Sequence, residues 1–191
     1  MQEFLFYFRM GWEHIISTGA LDHQLFILAL CAIYTLRDWK QVLVLVTAFT
    51  IGHSLTLALS VKDWIVVPSA IIEFLIPCTI VVTAIFNLFQ KKFTPKSIRI
   101  NYFLALFFGL IHGMGFANAV RMMLASGESF GMGLFGFNLG LEAGQIVVVA
   151  LVLLVAKLFL DGFRTSRREW VVFLSGAVFA ISLMMALERI P

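Results

Sequence analysis

The sequence predicts an all-α integral membrane protein, a single bundle of six transmembrane helices with a short N-terminal helix. Two observations carry that expectation. Hydrophobic residues make up 61% of the 191-residue chain and charged residues 13%, with a mean hydropathy of +0.97; a soluble domain is about 45–50% apolar and about 25% charged. The apolar residues also form long continuous runs near the ~20 residues that a spanning helix needs, not the roughly 10-residue alternating segments of a barrel strand.

The opening segment, MQEFLFYFRMGWEH, places Glu3 early, Arg9 after its apolar run and no small-residue cleavage site where one belongs, so it reads as a retained segment and not a removable signal peptide. Residues 3–17 are expected to form a short helix, at the outer surface or folded into the bundle. Ser17-Thr18-Gly19 offers a break, and the first spanning helix then starts near Ala20 with Asp22 in its first turn, where the helix dipole favours a carboxylate. The six predicted spans are about 20–36, 41–60, 65–89, 101–125, 133–160 and 170–187. Trp12, Trp39, Trp64 and Trp170 fall where interface anchors are expected. The intervening loops are short and KKFTPKSIR is a cationic turn, so residues 1–191 read as one domain. The likeness between TIGHS and LIHGMG is too slight for an internal repeat.

Charge fixes an expected orientation. Arg37 and Lys40, then Lys91, Lys92, Lys96 and Arg99, then Lys157, Arg164, Arg167 and Arg168 fall in alternate loops, ten of the fourteen basic residues. Arg9, Lys62, Arg121 and Arg189 hold the other side, which places both termini outside the cytoplasm. The net charge of +3 is modest and not gathered into aromatic-interleaved patches, so no nucleic-acid partner is implied; the lipid bilayer is the expected surrounding. Cys31 and Cys78 lie in apolar runs and read as buried thiols, not a disulfide.

All four histidines, His14, His23, His53 and His112, lie in or beside the spans. An ionisable residue at membrane depth costs at least ~2.5–3.5 kcal/mol and as a rule faces a bundle interior or an aqueous path. One intramembrane histidine is commonly a helix-to-helix hydrogen bond; four together argue that at least two, His23 foremost, share a metal or proton site. Asp22 completes a nitrogen and oxygen donor set suited to Ni, Co, Zn or Fe, whereas no Cys-x-x-Cys or methionine cluster speaks for Cu(I). His14 and His23 are nine positions apart, about 180° around one continuous helix, so His14 joins only if the chain bends at Ser17-Thr18-Gly19.

Glu13, Glu73, Asn138, Glu142 and Gln145 are candidates for orienting the imidazoles or lining a pathway. The fifth predicted span repeats Gly136, Gly140 and Gly144 beside Asn138, Glu142 and Gln145, a small-residue packing face next to a polar stripe; glycine-rich faces of this kind are also candidates for contact between copies of the chain. Around His112, Gly109, Gly113 and Gly115 remove bulk.

Five motifs in order, GWEHIISTGALDHQLF, FTIGHSLTLALS, the acid in Ile72-Glu73-Phe74, GLIHGMGFAN and FGFNLGLEAGQ, cover most of the chain and together resemble the HupE/UreJ family of small six-helix membrane proteins. The resemblance implies a nickel or nickel/cobalt permease in a bacterial inner membrane. It carries His14, Asp22, His23, His53, Ser54, Glu73, His112, Asn138, Glu142 and Gln145 onto family motif positions, with Ile15 standing where the family's first motif often has proline. The site chemistry by itself also describes a membrane-embedded zinc hydrolase, with Ser54 and Glu142 near the ion and one coordination position kept for water. A permease needs polar residues leading to the cytoplasmic side, and the inner ends of spans one, two and five are nearly all apolar, which counts against transport.

Overall fold

The computed structural model of the chain describes residues 2–90, 95–116 and 130–191. Lys91, Lys92, Arg121 and the end of the predicted fourth span lie outside the described residues, as do the side chains of Lys96 and Arg99. The protein is all-helical there: α1 (Gln2–Ile16), α2 (Leu21–Cys31), α3 (Trp39–Val61), α4 (Ser69–Phe89), α5 (Pro95–Gly115), α6 (Phe130–Lys157) and α7 (Arg167–Glu188). Short 3-10 turns at Thr18–Ala20 and Leu36–Asp38 precede α2 and α3, and a π turn, Leu158–Gly162, ends α6.

Local chemistry explains the boundaries. Ser166 and Glu169 make a reciprocal capping box at the start of α7, the Glu169 amide donating to Ser166 Oγ at 3.2 Å and the Ser166 amide to Glu169 Oε2 at 2.8 Å. The Asp38 carboxylate accepts from both the amide and the hydroxyl of Thr35, which starts the next helix early. In consequence α2 stops at Cys31, not at residue 36 as the apolar run suggests, and Ala32, Ile33 and Tyr34 form a buried turn. The predicted third span likewise starts later, at Ser69, because Pro68 pushes the residue before it out of helical geometry. The expected break after residue 16 is present: α1 and α2 are bent by 59°.

Helices Leu36–Val61, Ser69–Phe89, Gly131–Gly162 and Arg167–Glu188 are each long and apolar enough to cross a membrane, and α1 with α2 makes a fifth if the bent pair is one span. The apolar part of α5, Asn101–Gly115, is shorter. The chain is an integral membrane protein.

Contacts between helices fix their relative directions. Along the α1 and α6 seam, a Cβ at Gly136 would press on the Phe4 carbonyl, one at Gly140 would collide with the Phe8 carbonyl, and one at Gly11 with the Phe137 carbonyl. The two helices therefore run parallel at backbone contact. Gly109 and Gly113 meet the carbonyls of Phe49 and His53 in the same way, so α3 and α5 also run parallel. The glycine face that the sequence offered for contact between copies is thus filled within the chain. His23 packs against His53 and His112 while Phe26 packs against Phe49 and Phe108, which makes α2 antiparallel to α3 and α5.

Arginines tie one end of the bundle. Arg167 donates to the Ile33 carbonyl at 2.5 Å and lies 3.6 Å from Asp38, and Arg168 reaches the carbonyls of Asn87, Leu88 and Gln90 at the C-terminal end of α4, where cations are favoured. A cleft of about 780 Å³ there is lined by Arg37, Asp38, Lys157, Asp161 and Arg167. At the other end Arg189 lies 3.7 Å from Asp22.

Candidate metal centre

The bend between α1 and α2 builds the site. His14 sits in the last turn of α1 and His23 in the first turns of α2. A straight helix would aim them apart; the bend sets their ring centroids 4.5 Å from each other. His53 comes from the middle of α3, 6.0 Å from the His14 ring and 6.2 Å from the His23 ring, and His112 from the end of α5, 5.0 Å from His23. One nitrogen each from His14, His23 and His53 lie within 4.8 Å of one another. Nitrogens sharing one tetrahedral ion at 2.0–2.1 Å are ~3.3 Å apart, so a small inward movement brings the three to bonding distance.

Their donors are otherwise idle. Nε2 of His14, Nε2 of His23 and both ring nitrogens of His53 are buried without a hydrogen-bond partner, although buried polar atoms are nearly always paired. His112 differs: its Nε2 lies 3.3 Å from the Thr79 hydroxyl, and its Nδ1 is unpartnered. Phe26, Phe49, Phe116 and Phe137 surround the imidazoles, with Phe116 4.1 Å from His14 and stacked on Phe137 at 5.0 Å. That aromatic cage lowers the local dielectric and strengthens whatever electrostatic bond forms inside it.

Asp22 sits against His23 and is not one of the three residues whose donor atoms lie within 4.8 Å of one another. Its Oδ1 accepts from the His23 amide at 2.9 Å and lies 3.0 Å from His23 Nδ1. With Nδ1 so engaged, Nε2 is the ring nitrogen left unpartnered, the carboxylate–histidine arrangement usual behind ligating histidines. A cavity of about 180 Å³ opens on this cluster, lined among others by His14, Asp22, His23, Glu73, His112 and Arg189.

The remaining predicted residues lie elsewhere. Glu13 turns outward and pairs with Arg9 at 2.7 Å. Ser54 donates to the Thr50 carbonyl at 2.6 Å, Glu142 accepts from the Thr47 hydroxyl at 2.7 Å, and Gln145 accepts from the Thr50 hydroxyl at 2.9 Å. Asn138 donates to the Leu134 carbonyl at 2.8 Å, its Oδ1 buried and unpartnered. These four serve the α3 and α6 helices; none is among the described residues lining the cavity. Glu73 stands exposed at its mouth. The cysteines are free, Cys31 buried and Cys78 half-buried.

Two residues that sequence reasoning passed over hold the geometry. Gln24 reaches with Nε2 to the carbonyls of Ile15, Ile16 and Ser17 at 3.0, 3.3 and 3.0 Å, at and just past the end of α1, where helical carbonyls lose their partners; the Ser17 carbonyl also accepts from the Ala20 amide. It clips the two helices at their bend, and its only signal in the sequence is a lone amide at the head of LFILALC. Arg189 reaches the Glu73 carbonyl at 3.5 Å. Pro77 lies inside α4 and has no N–H for that carbonyl, so a distant side chain takes the vacated position.

Fold and site together define a helical integral membrane protein with a buried imidazole cluster at a helix break. The chain matches the family model described as HupE / UreJ protein over residues 1–189, and it belongs to that family, related to nickel and cobalt transport at a membrane. No curated protein and no solved structure matches it.

Proposed function

We propose that the protein carries a divalent transition-metal ion of the nickel/cobalt type across the membrane, binding it through His14, His23 and His53 with His112 alongside. Asp22 orients His23, and Glu73 at the cavity mouth attracts the cation. The observation that carries this reading is the set of buried, unpartnered imidazole nitrogens gathered within 4.8 Å at the α1 and α2 break. Discontinuous helices recur at ion sites near the middle of transporters, because the break frees directed polar groups within the membrane. Imidazole nitrogen suits nickel, cobalt and zinc. Ser54 and Glu142, the groups a hydrolase would need, are engaged elsewhere, Ser54 with the Thr50 carbonyl of its own helix and Glu142 with Thr47 across α3 and α6, so transport is the reading favoured over catalysis.

In this reading α1 with α2 forms the first of six crossings and α3 to α7 the others, within one domain. The basic end of the bundle faces the cytoplasm, the cavity faces outward with both termini, and the location is a bacterial inner membrane. The test is uptake of radioactive nickel and cobalt into proteoliposomes holding the native chain or His23→Ala. Saturable uptake that the substitution abolishes supports the reading. Uptake that survives it overturns the site, and tight zinc binding without flux of any ion overturns transport.

A further inference from the structure

Three charged side chains share the cavity with the histidines: Asp22 of α2, Glu73 of α4 and Arg189, the C-cap residue of α7. The exposure of the lining falls from the open side inward. Ser17, Gly19, Glu73 and Gly115 are exposed, His14, Asp22 and Arg189 are half-buried, and His23 and His112 are buried. A cation entering from the open side therefore meets Asp22 and Arg189 before it reaches His23 or His112.

Arg189 is held more loosely than the arginines at the other end of the bundle. One nitrogen, Nη1, makes both of its contacts, 3.7 Å from Asp22 Oδ2 and 3.5 Å from the Glu73 carbonyl. By contrast Arg167 donates to the Ile33 carbonyl at 2.5 Å, and Arg168 spans three carbonyls at 2.5, 3.0 and 3.4 Å. The Arg189 side chain is also 35% exposed, so packing does not fix it in place. Its partner Asp22 is divided between two duties. Oδ1 serves His23 through the amide and Nδ1, while Oδ2 faces the guanidinium. A cation drawn to Asp22 from the mouth competes for the oxygen that Arg189 holds. The guanidinium stays charged at any working pH, and in a partly desolvated cavity like charges repel several-fold more strongly than in water.

We propose that Arg189 is a built-in competitor for the cavity: a cation gains the histidines only by driving the guanidinium off Asp22. This inference rests on the transport reading and adds to it a means of selection. An entering ion must offset the ion pair it breaks. Nickel and cobalt do so through imidazole nitrogen, whereas magnesium and calcium prefer oxygen and gain little from imidazole. The tethered guanidinium thus keeps oxygen-seeking cations off an acidic mouth that would otherwise hold them, and yields to ions that histidine binds. Selection here comes from a repulsive element set against the wrong ion as much as from contacts to the right one.

The experiment measures nickel binding by calorimetry in detergent, with and without millimolar magnesium, for the native chain, the neutral variants Arg189→Gln and Arg189→Met, and the charged variant Arg189→Lys. Thermal unfolding in the same detergent shows which variants fold. The neutral variants should bind nickel about ten-fold more tightly than the native chain, about 1.4 kcal/mol, and magnesium should weaken nickel binding in them alone. Arg189→Lys should stay near the native affinity and indifferent to magnesium. Folded neutral variants that bind nickel no better than the native chain, or that magnesium leaves untouched, overturn the competitor. Failure of both neutral variants to fold overturns it as well, since the side chain then serves the fold. Nickel binding by the native chain without uptake into proteoliposomes overturns the transport reading, while tighter, magnesium-sensitive binding in the neutral variants still supports the competitor at the cavity.

Discussion

His14 and His23 stand nine positions apart in sequence and 4.5 Å apart between ring centroids, because the chain turns by 59° between them. The turn is held from within the site: Gln24, next to His23, takes the carbonyls at the end of the helix that carries His14. Imidazole geometry and backbone geometry are therefore fastened by adjacent residues.

Gln24→Ala should release that clip. Loss of the bonds costs on the order of 1–3 kcal/mol where the carbonyls stay buried. Nickel affinity should fall because His14 drifts, and adding His14→Ala to the Gln24→Ala background should weaken binding much less than it does in the native chain. A double-mutant cycle read by calorimetry tests this; strict additivity would mean that Gln24 does not place His14.

Asp22→Asn should keep the fold and lower metal affinity by about 10–100-fold, the range for losing a group that orients a ligating histidine. His23→Ala should cost more, since it removes a donor atom. Equilibrium dialysis with nickel ranks the two, and equal losses would move Asp22 from behind His23 onto the ion.

Glycine positions should divide sharply by what a methyl group would meet. Gly11→Ala and Gly140→Ala press on backbone carbonyls of the facing helix, where no rotamer change relieves the clash, and each should cost about 1–3 kcal/mol or more. Gly131→Ala and Gly176→Ala, with nothing within 4 Å, should stay within about 0.5 kcal/mol of the native chain. Thermal unfolding in detergent separates the two pairs.

Pro77→Ala returns an N–H to the Glu73 carbonyl and so removes one of Arg189's partners. Arg189→Gln should destabilise the native chain more than it destabilises the Pro77→Ala chain, with a coupling of about 0.5–1 kcal/mol in chemical denaturation. Identical costs in both backgrounds would show that Arg189 serves Asp22 alone.

Much of this was legible in the residues. Continuous apolar runs predicted membrane helices, and Ser17-Thr18-Gly19 marked the bend because small polar residues there interrupt an apolar pattern. What stayed hidden depends on partners far away in sequence. The end of α2 at Cys31 goes with a Thr35 and Asp38 clasp at the edge of the apolar run, four residues beyond the helix. Glu13 adjoins His14 in sequence but lies about 100° around the helix from it, so it turns to Arg9 while His14 turns inward. Glu142 and Gln145 form the expected stripe, yet threonines of α3 claim them before any ion does.

The backbone contact of α1 with α6 has a bearing on how the chain is made. α1 is synthesised before α6, and its glycine-matched seat there appears only after the four helices between them have been translated. Until then the helix that carries His14 has no place to dock, so the three-histidine cluster closes late in biogenesis. Under the proposed function, the order in which the helices arrive keeps an unfinished chain from capturing an ion at a cluster that is not yet assembled.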